Sequence, residues 1–197
     1  MKVTGYIILL LAILSCSNQG DKNESLNSRD STATVDLYGF LNYILTDSAD
    51  IGLVNDGYKV ISDIEVLPPP SFYGPEKFSD YLSKELSEKD TLYIVNQLRD
   101  RKNFRTDSLQ AFGFTIAKVS DLRNKKIKGD EFWDTIHHKY GPGYLTVSRP
   151  IFNRGFTKAY VRFGYVCGGL CGGGEDIIVE KINGKWIIIQ HLGSWSS

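Results

Sequence analysis

Asn183-Gly184 lies between two runs rich in β-branched residues, 174–182 and 185–192. Both central positions of a two-residue type I′ turn need positive φ, which Asn-Gly adopts at low cost, so the dipeptide predicts a β-hairpin of defined register. With Ile182 opposite Lys185, Val179 faces Ile188, Ile178 faces Ile189, Ile177 faces Gln190 and Asp176 faces His191. One side of the hairpin then carries Ile178, Ile182, Ile187 and Ile189; the other carries Ile177, Val179, Trp186 and Ile188. Two apolar faces require cover on both sides for part of their length, so the hairpin belongs within a layered domain. Alternating residues predict two earlier strands, at 144–149 and 157–167, which completes an antiparallel meander at the C-terminal end.

Upstream, the apolar period is helical. Val35, Leu37, Phe40, Leu41, Ile44 and Leu45 predict a helix from Thr34, its N-cap, to about Asp47. Residues 51–66 read as a hairpin turning at Asn55-Asp56-Gly57, and Pro68-Pro69-Pro70 ends it as a stiff connection. Pro75 opens a helix with Phe78, Tyr81, Leu82 and Leu86 on one side. Ser87-Glu88-Lys89-Asp90 resembles a capping box and starts a helix with Leu92, Val95 and Leu98 inward. A strand is predicted over 112–119, between two basic clusters: Arg99, Arg101, Lys102 and Arg105, then Arg123, Lys125, Lys126 and Lys128. Asp100, Asp107, Asp121 and Asp130 lie among them, which favours a solvated surface over a basic groove. Asp130 caps a last helix carrying Phe132, Trp133, Ile136 and Tyr140, with His138 placed to pair with Asp134 and His137 at the core edge. Helices first and a meander last make an α+β domain.

The chain has 197 residues with 23 basic against 23 acidic, which fits one ordinary domain and excludes nucleic-acid binding through bulk positive charge. The first residues stand apart. Lys2 precedes a charge-free run, 6–14, about half the length a membrane-spanning helix needs, and a polar stretch follows Cys16. Ile13-Leu14-Ser15-Cys16 resembles the bacterial lipoprotein signal. That resemblance implies removal of residues 1–15, lipid on Cys16 as the membrane partner, and an address in the cell envelope, on the periplasmic or outer-surface side. Without residues 1–15 the balance is 22 basic against 23 acidic, or −1. Residues 17–33 contain one large apolar residue, Leu26, and read as a tether. Seventeen flexible residues reach about 20–25 Å root-mean-square. Residues 34–197 form the single folded domain, large enough to hold a core without staples.

Outside the cytoplasm thiols oxidise, and Cys167 and Cys171 are the two that remain. They sit in a junction, 164–174, with six glycines in eleven residues, whose entropy cost points to a need for positive φ or close backbone approach. Four readings compete. A disulfide tying the turn is favoured, contributing about 2 kcal/mol for so short a loop. A redox pair would normally have two intervening residues and open a helix; here there are three, and a strand follows. A metal site would need more ligands than His137, His138 and His191 supply, and no second histidine lies at i+4, so neither metal nor cofactor is expected. A phosphate cradle lacks the Lys-Ser/Thr ending and the helix. One catalytic constellation can be drawn: Asp176 opposite His191, beside Tyr165, with a free Cys167 or Cys171 as nucleophile. A cross-strand ion pair is the simpler reading of Asp176 and His191.

Ser148-Arg149-Pro150-Ile151-Phe152-Asn153, the Cys167-Gly-Gly-Leu-Cys171-Gly-Gly-Gly element and Asn183-Gly184-Lys185-Trp186 resemble the C-terminal half of a family of lipoproteins and secreted proteins from Bacteroidetes-type bacteria. The resemblance covers roughly 130–191 and implies no activity or catalytic residue. Helices followed by long strands are also similar to the cone-like sheet of the nuclear-transport-factor-like fold, an analogy that implies no function. The expected function is a lipid-anchored binding or envelope-accessory module for a protein or small-molecule ligand. The alternative is a small secreted hydrolase or thiol-dependent enzyme with its site beside the 167–174 loop. An apolar concavity would favour the first, and convergent titratable groups with shifted pKa values the second.

Overall fold

A computed structural model describes residues 37–46, 59–66, 74–100 and 103–197. They fall within the unit Val35–Ser197. The lipoprotein signal, Cys16, the tether, Thr34, the 51–58 part of the first predicted hairpin, the triple proline, and Arg101 and Lys102 lie outside the described residues.

Helix α1 covers 37–46 and buries Tyr38, Phe40, Leu41, Ile44 and Leu45, the stripe its helical period predicts apart from Tyr38. Helices α2 (Gly74–Glu85) and α3 (Thr91–Arg99) follow, with a 3-10 segment (Thr106–Phe112), then α4 (Val119–Asn124) and α5 (Gly129–Tyr140). The strands are β1 (Val60–Ser62), β2 (Thr115–Ala117), β3 (Tyr144–Val147), β4 (Ile151–Phe152), β5 (Lys158–Gly168), β6 (Cys171–Ile182) and β7 (Lys185–Ser196). They make one open sheet in the order β2-β1-β3-β5-β6-β7, with β4 paired to β5 beyond the end of β3. The α+β class therefore holds. The sheet is mixed, however: β1 runs parallel to both neighbours, β2 and β3, and only the part from β3 onward is the antiparallel meander. Pairing on both edges is why Val60–Ser62 is a buried central strand and not one arm of a local hairpin.

Several local expectations move: Tyr81, placed inward on α2, is exposed, and the strand predicted over 112–119 is confined to Thr115–Ala117 between the 3-10 segment and α4. Ser87 does not cap α3; with φ at 54° it ends α2, where Ser87 N–H donates to Lys84 O and Glu88 N–H to Ser83 O in the paired bonds of a Schellman termination. The N-cap of α3 is Asp90, whose carboxylate accepts the Leu92 N–H at 3.0 Å. The inward stripe shifts with the cap: Ile94 is fully buried while Leu92 is 70% exposed. In α5, Lys128 holds the N-cap position and Asp130 and Glu131 sit in the first turn, where their charge complements the helix dipole.

The sheet is covered on both faces. Against the first lie α1 and the 3-10 segment, joining Leu145, Val147, Ala159, Val161, Phe163, Ile177 and Val179 in the largest core. Against the second lie two separate helical groups. α4 and α5 bury Val119, Phe132 and Ile136 on Val60, Ala117 and Tyr144. α2 and α3 bury Leu82, Leu86 and Ile94 on Ile151, Tyr160 and Ile178. Each such side chain, fully buried, contributes about 1.5–3 kcal/mol. The sheet surface between these two groups carries the candidate site. At the turn end of the hairpin, cover stops, and Ile182, Ile187 and Ile189 are each more than 40% exposed.

Candidate ligand-binding site

The strand column between the two helical groups reads Tyr160, Arg162, Gly164, Val166 on β5 and Ile178, Asp176, Gly174, Gly172 on β6, because successive residues alternate faces. Gly164 pairs with Gly174, and Gly174 pairs in turn with Trp195 on β7. None of the six glycines between 164 and 174 has positive φ. Close approach is the reason for Gly164, Gly172 and Gly174, where an added Cβ would meet a heavy atom at under 3.0 Å, whereas Gly169 faces open space. A Cβ on Gly164 would lie 2.8 Å from both Gly173 O and Trp195 Cζ2, and one on Gly174 would collide with Phe163 O and lie 2.5 Å from Trp195 Nε1 and 2.8 Å from its Cε2. The glycines thus form a bed on which the indole rests.

Trp195 then walls a cavity of about 340 Å³, lined also by Ser62, Ile64, Glu65, Val66, Arg123, Tyr144, Thr146, Arg162 and Val166. Ser62, Thr146 and Arg162 come from adjacent strands, Arg123 from α4, and Ile64 to Val66 from the segment after β1. Arg162 is anchored by its backbone: its N–H donates to Ser148 Oγ at 3.0 Å and its carbonyl accepts the Ser148 N–H at 2.7 Å. Its side chain is 18% exposed, and Nε stands 3.9 Å from Asp176 Oδ1, too far for a hydrogen bond. That oxygen accepts instead from the Tyr160 hydroxyl at 2.6 Å. Arg162 Nε is buried without a hydrogen-bond partner among the described residues. Burial raises the Tyr144 hydroxyl above the ordinary tyrosine range, and the charge and hydrogen bond of Arg123 partly oppose this. Glu65 Oε1 accepts the Arg149 N–H at 3.1 Å.

The cysteine element lies at the far end of the same two strands. Cys167 and Cys171 are joined in a disulfide with Cα atoms 5.1 Å apart. The β5–β6 register slips between Val166 and Gly168, which makes Cys167 the extra, bulged residue. His137 bonds through Nε2 to the Cys167 carbonyl at 3.0 Å, and Leu170 stands 91% exposed at the tip.

The catalytic constellation drawn from sequence is not assembled. The register holds from Ile182 opposite Lys185 through Val179 opposite Ile188, but two irregularities on β7 then shift it. Asp176 faces Gly193, and His191 pairs with Ile177. His191 Nδ1 bonds Glu175 Oε2 at 2.7 Å, whereas Asp176 turns to Tyr160 and Arg162 on the opposite face of the sheet. Tyr165 packs at the edge of the largest core and is raised by burial. Both late thiols are in the disulfide. His138 is exposed, with no ion pair to Asp134 among the described residues. No group of three or more His, Cys, Asp and Glu suited to a metal occurs among the described residues.

Sequence reasoning missed Arg162, Glu65 and Trp195. Arg162 had a signal, a charge flanked by apolar residues in the middle of a strand; Trp195 falls past the predicted end of the last strand at 192. Arg123, grouped with solvated basic residues, is the one member of its cluster that lines the cavity. No protein-family model, curated protein or solved structure matches the chain.

Proposed function

We propose that this chain is a lipid-anchored binding module of the bacterial cell envelope, akin to Bacteroidetes-type lipoproteins, with Cys16 held in a membrane by lipid, 17–33 as tether, and a small molecule as the ligand of the cavity. The observation that carries this reading is the construction of the cavity: a rigid sheet floor, an indole seated on glycines, and arginines at its border. At about 340 Å³ it lies at the small end of the range for small-molecule sites. The enzyme alternative has less support, since its thiols are bonded to each other and Asp176 and His191 point to opposite sides of the sheet.

The chain has three tryptophans, of which Trp133 and Trp186 pack on cores and only Trp195 lines the cavity. Full-length protein labelled with 5-fluorotryptophan, in mild detergent, therefore reports cavity binding through the Trp195 fluorine resonance with Trp186 as internal control, since Trp133 stacks on the cavity-lining Tyr144. A fragment set of mixed charge should contain members that move the Trp195 signal saturably while Trp186 stays still. A set that moves neither, or both alike, removes the binding-module reading.

A further inference from the structure

We propose that the cavity selects a small organic acid, a flat or apolar body bearing one carboxylate, with Arg162 as its principal anchor; this rests on the binding reading above. Arg162 presents a guanidinium with five donors in a planar fork. The structure does not use those donors fully. Asp176, its nearest carboxylate, lies 3.9 Å from Nε and spends the facing oxygen on the Tyr160 hydroxyl, and Nε has no hydrogen bond among the described residues. A largely buried guanidinium with an unspent Nε donor favours an acceptor, and a carboxylate matches the fork bidentately.

The surrounding charge sets the valence. Arg123 and Arg162 supply two positive charges, and Glu65 and Asp176 supply two negative ones. No surplus field remains to hold a dianion, so a phosphate monoester or inorganic phosphate is disfavoured, whereas a singly charged acceptor can be held by directed hydrogen bonds. The body of the ligand follows from the walls. Ile64, Val66, Val166 and Trp195 are apolar, and the indole offers a surface for a ring to lie against. The volume, about 340 Å³, equals that of about eleven waters, which suits one ring with a short acid arm.

The test uses the fluorotryptophan-labelled full chain with benzoate and phenylacetate, their neutral amides, and inorganic phosphate. Expected are saturable shifts of the Trp195 resonance by an acid, with its amide at least about tenfold weaker and phosphate without effect. Arg162→Gln should weaken the acid roughly 10- to 100-fold, the range for a charged hydrogen bond, and leave the amide unchanged. Arg123→Gln, at an exposed position, should weaken it less, and it decides the matter if Arg162→Gln does not fold. Amides binding as tightly as acids, phosphate binding more tightly than either acid, or acid affinity unchanged in the folded arginine variants would overturn the proposal. Neutral fragments that shift Trp195 while both acids fail would end this inference and leave the binding reading standing. Silence of Trp195 toward every compound would end both.

Discussion

Tyr160 is fully buried between the sheet and α2, with Phe78 edge-on to its ring, and its hydroxyl is the bond that holds Asp176 within the sheet. Burial is the first cause that keeps its proton in place, and the neighbouring Asp176 charge adds to it, so the native hydroxyl titrates far above the unfolded value of 10.0. The native state thus keeps a proton that the unfolded chain releases. The contribution is full below pH 10 and is lost as pH rises above it, so stability falls on the alkaline side. Tyr160→Phe should cost about 1–3 kcal/mol at neutral pH, because Asp176 loses its donor. Above pH 10 it should flatten the stability curve by one proton, about 1.4 kcal/mol per pH unit. Urea midpoints between pH 7 and 11 measure both, and parallel curves for the two proteins would refute the linkage. In the sequence, Tyr160 reads only as one apolar position in an alternating strand. Its partner sits sixteen residues away, across a pairing that Asn183-Gly184 does not report on.

At the scale of elements, β5, β6 and β7 form a unit whose turn end was legible and whose other end was not. Asn183 at φ 51° and Gly184 at φ 82° adopt the mirror-image turn, and four pairs follow in the predicted register. Beyond Val179 the edge strand bulges twice. Bulges twist an edge away from further pairing, and here they also bring Leu192 toward the α2–α3 core and Trp195 onto its glycines. The glycine-rich run was conspicuous from sequence, but its purpose depends on an indole 21 residues after Gly174. Gly174→Ala should therefore destabilise the domain by about 1–3 kcal/mol, the usual cost of overpacking, and displace the Trp195 signal. Gly169→Ala is the matched control, since nothing lies within 4 Å of its added Cβ. Equal urea midpoints for the two variants would show that neither the Phe163 carbonyl nor the indole crowds this position, and an unmoved Trp195 signal in Gly174→Ala would show that the indole is not seated on this bed.

For the whole molecule, two helical pairs share one face of the sheet and leave the strip of floor where the cavity sits, while α1 seals the other face. No helix among the described residues is long and apolar enough to cross a membrane. Membrane association, in the function proposed, depends on Cys16 alone. Cys16→Ser should move the protein from the membrane to the soluble fraction, and mass spectrometry of the mature wild-type N-terminus should show a diacylated or triacylated cysteine. An unmodified Cys16, or a serine variant that still sediments with membranes, would remove the lipid anchor from the account.

The amino-acid sequence by itself determined the α+β class, the helical stripes of α1 and α5, the last hairpin with its turn, and the two cysteines that meet four residues apart. All of these depend on residues close together along the chain, where spacing, alternation and turn preference act directly. Tertiary structure decided the parallel seating of β1 between β2 and β3, the bulges of β7, the separation of Asp176 from His191, and the cleft with Arg162 at its edge. These depend on which surfaces pack best once distant segments meet, and the side chains that settle that choice, Trp195 against Gly164 and Gly174 above all, become neighbours only in the folded chain.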